Sequence, residues 1–179
     1  DINPGATSSG PQGLTELNSR LYFVAATNAH GAEPWSTDGT TTALIQNISP
    51  GANPSYPSGL TAFGEYVYFS ASGVSGHELW RSNGTMTNMV SDIRPGAMGS
   101  NPSGFEMYGD QLFFRANDGT SGIELWRTDG TASTQAADIN PGAGDADVQD
   151  LTTIGSKLYF SADGGTQGDE PWIWNGTGV

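Results

Sequence analysis

Residues 78–85 read ELWRSNGT and residues 124–131 read ELWRTDGT, and the same segment recurs as EPWSTDGT at 33–40 and EPWIWNGT at 170–177. Its Asp-Gly or Asn-Gly pair is a strong signal for a tight β-hairpin, because both residues accept the left-handed backbone that such turns require. The tryptophans of these segments are 45, 46 and 46 residues apart. The chain is therefore a repeat protein with a hairpin turn in every unit.

A second recurring motif, DINPGA and its variants, marks the start of each unit. Cutting before it gives repeats of 46, 45, 46 and 42 residues, at 1–46, 47–91, 92–137 and 138–179. Its Pro-Gly pair favours a type II turn, because proline fixes φ at the first corner and glycine accepts positive φ at the second. Between the two motifs lies an apolar run such as Val67-Tyr68-Phe69, which indicates a strand buried on both faces. We expect four short strands in each repeat.

Four-stranded units of this period are typical of β-propellers, in which each sheet covers the face of the next. The sequence predicts one all-β domain, residues 1–179, folded as a four-bladed β-propeller. A parallel β-helix or another solenoid is the alternative, although its coils are usually shorter and need no hairpin turn. Two chains could also close one eight-bladed ring, because the repeat defines the blade and leaves the number of blades open.

The amino-acid composition limits the classes of partner that the chain can bind. Six cationic residues against nineteen carboxylates give a net charge of −13, which repels a nucleic-acid backbone. No apolar run reaches the roughly 18 residues of a membrane span, so neither nucleic acid nor membrane insertion is expected. The chain has no cysteine, which excludes disulfides and thiolate catalysis. Its acidic charge is compatible with calcium, but no segment matches an EF-hand loop, and no cofactor is predicted.

The motifs ELWRSNGT and ELWRTDGT resemble the ELWxxDGT repeat family of large secreted bacterial proteins. The resemblance extends over the whole chain, although Pro34 and Pro171 replace the motif leucine in the first and fourth repeats. It implies an extracellular protein at the bacterial cell surface and supplies no catalytic residues. We therefore expect a repetitive, exported module.

A recurring glutamate precedes each motif tryptophan, and two roles are open to it. Facing a propeller axis, four carboxylates would form a ring able to hold a cation. At the blade edges, each would accept hydrogen bonds from a neighbouring turn, and we favour this structural role. These weak metal candidates are Glu33, Glu78, Glu124 and Glu170.

Trp174 stands where the other repeats have serine or threonine, and we interpret it as an exposed residue that could contact a ligand. The four repeated tryptophans are interpreted as core. Three sequons place candidate glycosylation sites on surface turns, at Asn47, Asn83 and Asn175.

No nucleophile and base stand out, and the two histidines, His30 and His77, lie beside turn glycines. We therefore expect no enzymatic activity.

The fourth repeat ends two residues after Thr177, so its outer strand is expected to be short. Two closures would complete it. Asp1-Ile2 could latch a ring within one molecule, or the ends could meet between molecules or neighbouring modules by strand complementation, giving head-to-tail growth. The candidate closure residues are Asp1, Ile2, Asn3, Asn175, Gly176, Thr177, Gly178 and Val179.

These observations favour a non-enzymatic extracellular structural or interaction module, such as a head-to-tail filament subunit or an adhesin domain. Its expected partners are further copies or neighbouring modules of the same protein. The alternative is a lectin-like propeller that binds carbohydrate or another ligand, with glycans as partners.

Overall fold

The computed structural model describes residues 1–179 and contains fifteen β-strands and no helix. The strands form four antiparallel sheets, and each sheet lies within one sequence repeat. No helical segment capable of spanning a membrane is present.

The strand bounds show the repetition. The first sheet contains β1 (Gln12–Leu17), β2 (Arg20–Thr27), β3 (Gly31–Thr37) and β4 (Thr42–Leu44). The second contains β5 (Ser58–Phe63), β6 (Tyr66–Gly73), β7 (Gly76–Ser82) and β8 (Thr87–Ser91). The third contains β9 (Ser103–Tyr108), β10 (Gln111–Asn117), β11 (Ile123–Thr128) and β12 (Ser133–Ala137). The fourth contains β13 (Gln149–Ile154), β14 (Lys157–Asp163) and β15 (Asp169–Trp174).

Within each sheet the strands are adjacent in chain order, as hairpins require. The turn between the third and fourth strands is built by its Asp or Asn side chain. Asp38 Oδ1 accepts hydrogen bonds from the backbone N–H of Thr40 at 2.9 Å and of Thr41 at 2.8 Å. An acidic side chain that satisfies its own turn has no need of a cation there.

The first strand of each sheet is the innermost one. β1 packs beside β5, β5 beside β9 and β9 beside β13, and no comparable packing joins β13 to β1. The four sheets are thus stacked in series like propeller blades, and the fold is β-propeller-like. Closure into a four-bladed ring stays a prediction.

The core is divided into layers between neighbouring sheets. One cluster joins Tyr22 of the first sheet to Val67 and Phe69 of the second. Another joins Tyr68 and Leu79 of the second sheet to three buried residues of the third, Leu112, Phe114 and Ala116. A third layer extends from Phe113 to the strands of the fourth sheet. The second strands of the first three sheets are therefore buried on both faces, as their apolar runs predicted, whereas β14 alternates buried and half-buried residues.

The fourth sheet has three strands, so the outer edge of β15 is unpaired. The chain does form the hairpin turn after β15, since the N–H of Asn175 donates to Gly178 O at 3.2 Å. The expected short outer strand is absent altogether.

Gly76 allows a test of the contact between the second sheet and the loop that opens the third repeat. Its φ is +81°, and a Cβ there would lie 2.4 Å from the backbone nitrogen of Gly99 in the next repeat. Gly64 has a similar φ of +57°, but its Cβ would meet nothing within 4 Å. Both Ala substitutions carry the left-handed backbone penalty of about 1–2 kcal/mol. We expect Gly76→Ala to lower the free energy of unfolding by about 2 kcal/mol more than Gly64→Ala, as measured by urea denaturation. Equal losses would contradict the contact.

Candidate functional site

The recurring glutamates lie on the third strand of each sheet, and the first three of them connect their sheet to the next repeat. Glu33, Glu78 and Glu124 are each 0% exposed, whereas Glu170 on β15 is exposed. A carboxylate is tolerated in such a dry position only when hydrogen-bond donors surround it. The three buried glutamates obtain those donors from the repeat that follows.

Glu78 makes the fullest set of contacts. Its carboxylate accepts hydrogen bonds from the backbone N–H of Ile93 at 3.1 Å, of Arg94 at 3.2 Å and of Ser100 at 2.9 Å. The Ser100 hydroxyl donates a fourth, at 2.5 Å. All four donors come from the loop that opens the third repeat, so the glutamate fixes that loop between two sheets.

Glu33 repeats this arrangement toward the second repeat. Its carboxylate accepts from the N–H of Ile48 at 3.1 Å and of Ser49 at 3.3 Å, and from the Ser55 hydroxyl at 2.5 Å. Backbone bonds reinforce the loop, since the N–H of Ser55 donates to Ala32 O at 3.0 Å. The loop is thus held by the sheet that precedes it as well as by its own.

Glu124 has the fewest hydrogen-bond donors of the three buried glutamates. It accepts from the N–H of Ile139 at 2.6 Å and of Asn140 at 3.2 Å, but Ala146 stands where the other repeats supply a serine hydroxyl. Burial raises the pKa of Glu124 to about 7, and the negative charges of Asp138 and Asp145 add to the effect. Burial also raises the pKa of Glu33 and Glu78, while their serine and backbone donors counter it.

Three of the four recurring glutamates, Glu33, Glu78 and Glu124, therefore accept hydrogen bonds from a neighbouring loop, whereas Glu170 does not. Each buried glutamate lies in a different sheet-to-sheet layer, and nowhere in the chain do three His, Asp or Glu side chains cluster as a metal site. Sequence reasoning missed the serine partners Ser55 and Ser100. A signal was available, because each stands 22 residues after its glutamate.

The expectation that Trp174 is exposed is wrong. Trp174 is 3% exposed and packs against Phe113 of the third sheet, with ring centroids 5.5 Å apart. The Arg127 guanidinium lies over its ring at 5.3 Å. The side chain of Trp174 points toward the preceding sheet, which sequence spacing alone did not reveal, and it offers no ligand a free face.

The motif tryptophans are likewise poor platforms for sugars. Trp35 and Trp126 are buried, and Trp80 packs against the core layer of the second sheet. Trp172 is half-buried and its indole N–H donates to Ala162 O at 2.9 Å.

The candidate glycosylation asparagines lie in turns. Asn83 and Asn175 use their side-chain oxygens to accept backbone N–H groups of their own turns, and Asn175 is exposed. Asn47 and Asn83 are half-buried.

The two ends of the chain do not join. Residues 1–3 lie outside any strand, Ile2 packs against Trp35 of its own repeat, and Asn3 Oδ1 accepts the N–H of Asn28 at 3.2 Å. No hydrogen bond connects them to residues 175–179. The structure thus contains no hydrogen-bonded latch between Asp1-Ile2 and the fourth repeat.

No protein-family model matches the chain, and no curated protein matches it in sequence. Among solved structures, the chain is similar to a crystal structure of a serine-to-alanine mutant of puromycin hydrolase complexed with PGG, with a TM-score of 0.57 and 14% sequence identity. The match covers 94% of this chain and 27% of that chain, so this chain corresponds to a minor part of that protein. At this identity the likeness shows the fold alone.

The raised pKa of Glu124 predicts a pH dependence. Between about pH 4.5, the ordinary value, and about pH 7, the folded protein keeps a proton on Glu124 that the unfolded chain releases. The folded state then binds more protons, so the free energy of unfolding should fall as the pH rises through this window. In Glu124→Gln this fall should be smaller, as measured by urea unfolding at pH 5, 6, 7 and 8. Glu65→Gln, at an exposed turn, is the control, and parallel pH profiles for wild type and Glu124→Gln would refute the prediction.

Ala146→Ser should restore the missing donor to Glu124. Hydrogen bonds to charged groups contribute about 1.5–3 kcal/mol, so we expect a gain of about 1 kcal/mol or more in unfolding free energy at pH 8, where Glu124 is ionised. The matched variant Ser100→Ala should lose stability, because it leaves Glu78 short of a donor. Thermal and urea unfolding measure both changes in stability. A higher unfolding free energy in Ser100→Ala would show that the serine hydroxyl does not stabilise the buried glutamate.

Proposed function

We propose that the protein is a non-enzymatic extracellular structural or interaction module that assembles head to tail, as a filament subunit or an adhesin domain. The observation that carries this proposal is the repetition of one directional contact at the three internal layers, with glutamate on one sheet and loop donors on the next. The first and fourth sheets present the two unused halves of that contact.

Two further features support end-to-end assembly. The edge of β15 is unpaired, and it accepts an added strand through main-chain hydrogen bonds. Strand complementation at Asn175–Val179 remains part of the proposal for that edge. Residues 1–3 are proposed to bind as a loop and not as an added strand. Their counterparts in the later repeats, such as residues 47–49, are loops held by a glutamate.

The outer faces of the first and fourth sheets, called the end faces here, allow three arrangements. A closed four-bladed propeller would join them within one chain, a ring of eight blades would join two chains, and an open filament would join many. We propose joining between chains or neighbouring modules, because β13 does not pack beside β1 within the chain as β1, β5 and β9 pack beside their successors.

The proposal assigns no catalytic residue. The three buried carboxylates are engaged by backbone N–H groups, and the similarity to a hydrolase extends to the fold only. Location at the bacterial cell surface rests on the resemblance to the ELWxxDGT repeat family.

Light scattering coupled to size-exclusion chromatography tests the proposal. We expect a weight-average mass above the 18.7 kDa of one chain that rises with protein concentration, and electron microscopy should show rings or fibres with a one-domain repeat. Association should strengthen between 0.02 and 0.3 M salt, since copies of charge −13 repel one another until the charge is screened, with Debye lengths of roughly 20 Å falling to about 6 Å. A constant monomer mass up to millimolar concentration would defeat the proposal.

A further inference from the structure

The first repeat carries the same donors that the later repeats use. The backbone N–H groups of Ile2 and Asn3 correspond to those of Ile48 and Ser49, and the Ser9 hydroxyl corresponds to that of Ser55. The backbone confirms the alignment, because the N–H of Ala26 donates to Ser9 O just as that of Ser72 donates to Ser55 O, both at 2.8 Å. None of the three donors makes a hydrogen bond within the chain. They form an unused set on the outside of the first sheet.

The fourth repeat carries the matching acceptor. Glu170 is exposed and accepts no hydrogen bond, although its counterpart Glu124 is fully buried by the next loop. The turn that precedes Glu170 also lacks a neighbouring loop. A Cβ at Gly122 would lie 2.2 Å from Gly144 O of the next repeat, whereas one at Gly168 would meet nothing within 4 Å. The position that a following loop fills elsewhere is vacant here.

An apolar contact is missing on the outer face of the first sheet. Leu60, Phe105 and Leu151 each extend from an innermost strand toward the innermost strand of the preceding sheet, where Gly13, Gly59 and Gly104 leave room for them. Their counterpart in the first repeat, Leu14, has no preceding sheet and is 63% exposed. Docking a preceding sheet would cover Leu14 as well as satisfy the donors.

We propose that the carboxylate of Glu170 in one copy of this chain binds the N–H groups of Ile2 and Asn3 and the hydroxyl of Ser9 in a second copy. This inference rests on the proposed function and specifies its contact. The occupant is a second copy because the three internal layers already join this glutamate to these donors, and the end faces continue that stack. A free anion or cation would satisfy only one of the two faces.

The test uses the full chain and two variants that damage opposite faces. Glu170→Ala removes the acceptor, and Ser9→Glu places a like charge against Glu170, so each should weaken self-association at least tenfold in sedimentation equilibrium at 0.3 M salt. The control Glu65→Ala makes the same charge change at an exposed turn far from both faces in sequence and should associate like the wild type. Ser9→Ala is the milder variant should Ser9→Glu disturb the loop, and it should weaken association about three- to tenfold.

Mixing gives the sharper readout. A Glu170→Ala chain keeps an intact first face, and a Ser9→Glu chain keeps an intact fourth face. The equimolar mixture should therefore form 1:1 heterodimers that stop growing, although each variant alone self-associates at least tenfold more weakly than the wild type.

The outcomes separate this contact from the broader proposal. Wild-type association that persists unchanged in Glu170→Ala and in both Ser9 variants would overturn the contact and leave head-to-tail assembly standing. A mixture that stays monomeric while the wild type associates would overturn the pairing of these two faces. A wild type that never associates would overturn both proposals.

Discussion

A buried carboxylate that accepts backbone N–H groups from the neighbouring repeat is the interaction on which this structure depends. The first N–H groups of the loops that open the second, third and fourth repeats have no backbone partner, and the glutamate is buried away from water, so each satisfies the other. Losing either half leaves several polar groups buried and unpaired. Neighbouring repeats are therefore stable only together, and stability is transmitted between nearest neighbours, as in other repeat proteins.

The buried glutamates of the three layers differ in how many hydrogen-bond donors they have. Glu78 has four donors and Glu124 has two, so the contact between the third and fourth sheets is the weakest in this respect. That layer is also the one in which Trp174 packs against Phe113 and beneath the Arg127 guanidinium. The large buried ring of Trp174 adds apolar area to the layer in which hydrogen bonding to the glutamate is least complete.

The sequence predicted the repeat, the strands and the turns, because these are local features: Asp38-Gly39 and Pro50-Gly51 act within a few residues. It also predicted that the glutamates accept hydrogen bonds from a neighbouring turn, which the structure shows for Glu33, Glu78 and Glu124 and not for Glu170. It did not identify their partners, since a glutamate and its serine are 22 residues apart and their pairing depends on which sheets become neighbours. Trp174 was misjudged for the same reason. It is the last strand residue before a turn, and the stacking of the third sheet on the fourth buries it.

The direction of this contact restricts how copies can meet. The acceptor lies on one face of each sheet and the donors on the other, so two fourth sheets brought face to face would oppose two Glu170 carboxylates and satisfy neither. A two-fold symmetric dimer through the fourth sheets is thus electrostatically unfavourable, and one through the first sheets leaves the donors unpaired, whereas a head-to-tail contact pairs every group. Head-to-tail contacts either close into a ring or continue as a fibre, and the rotation from one sheet to the next decides between them. The interaction that orders the four sheets within the chain therefore also limits the symmetry of any assembly built from its ends.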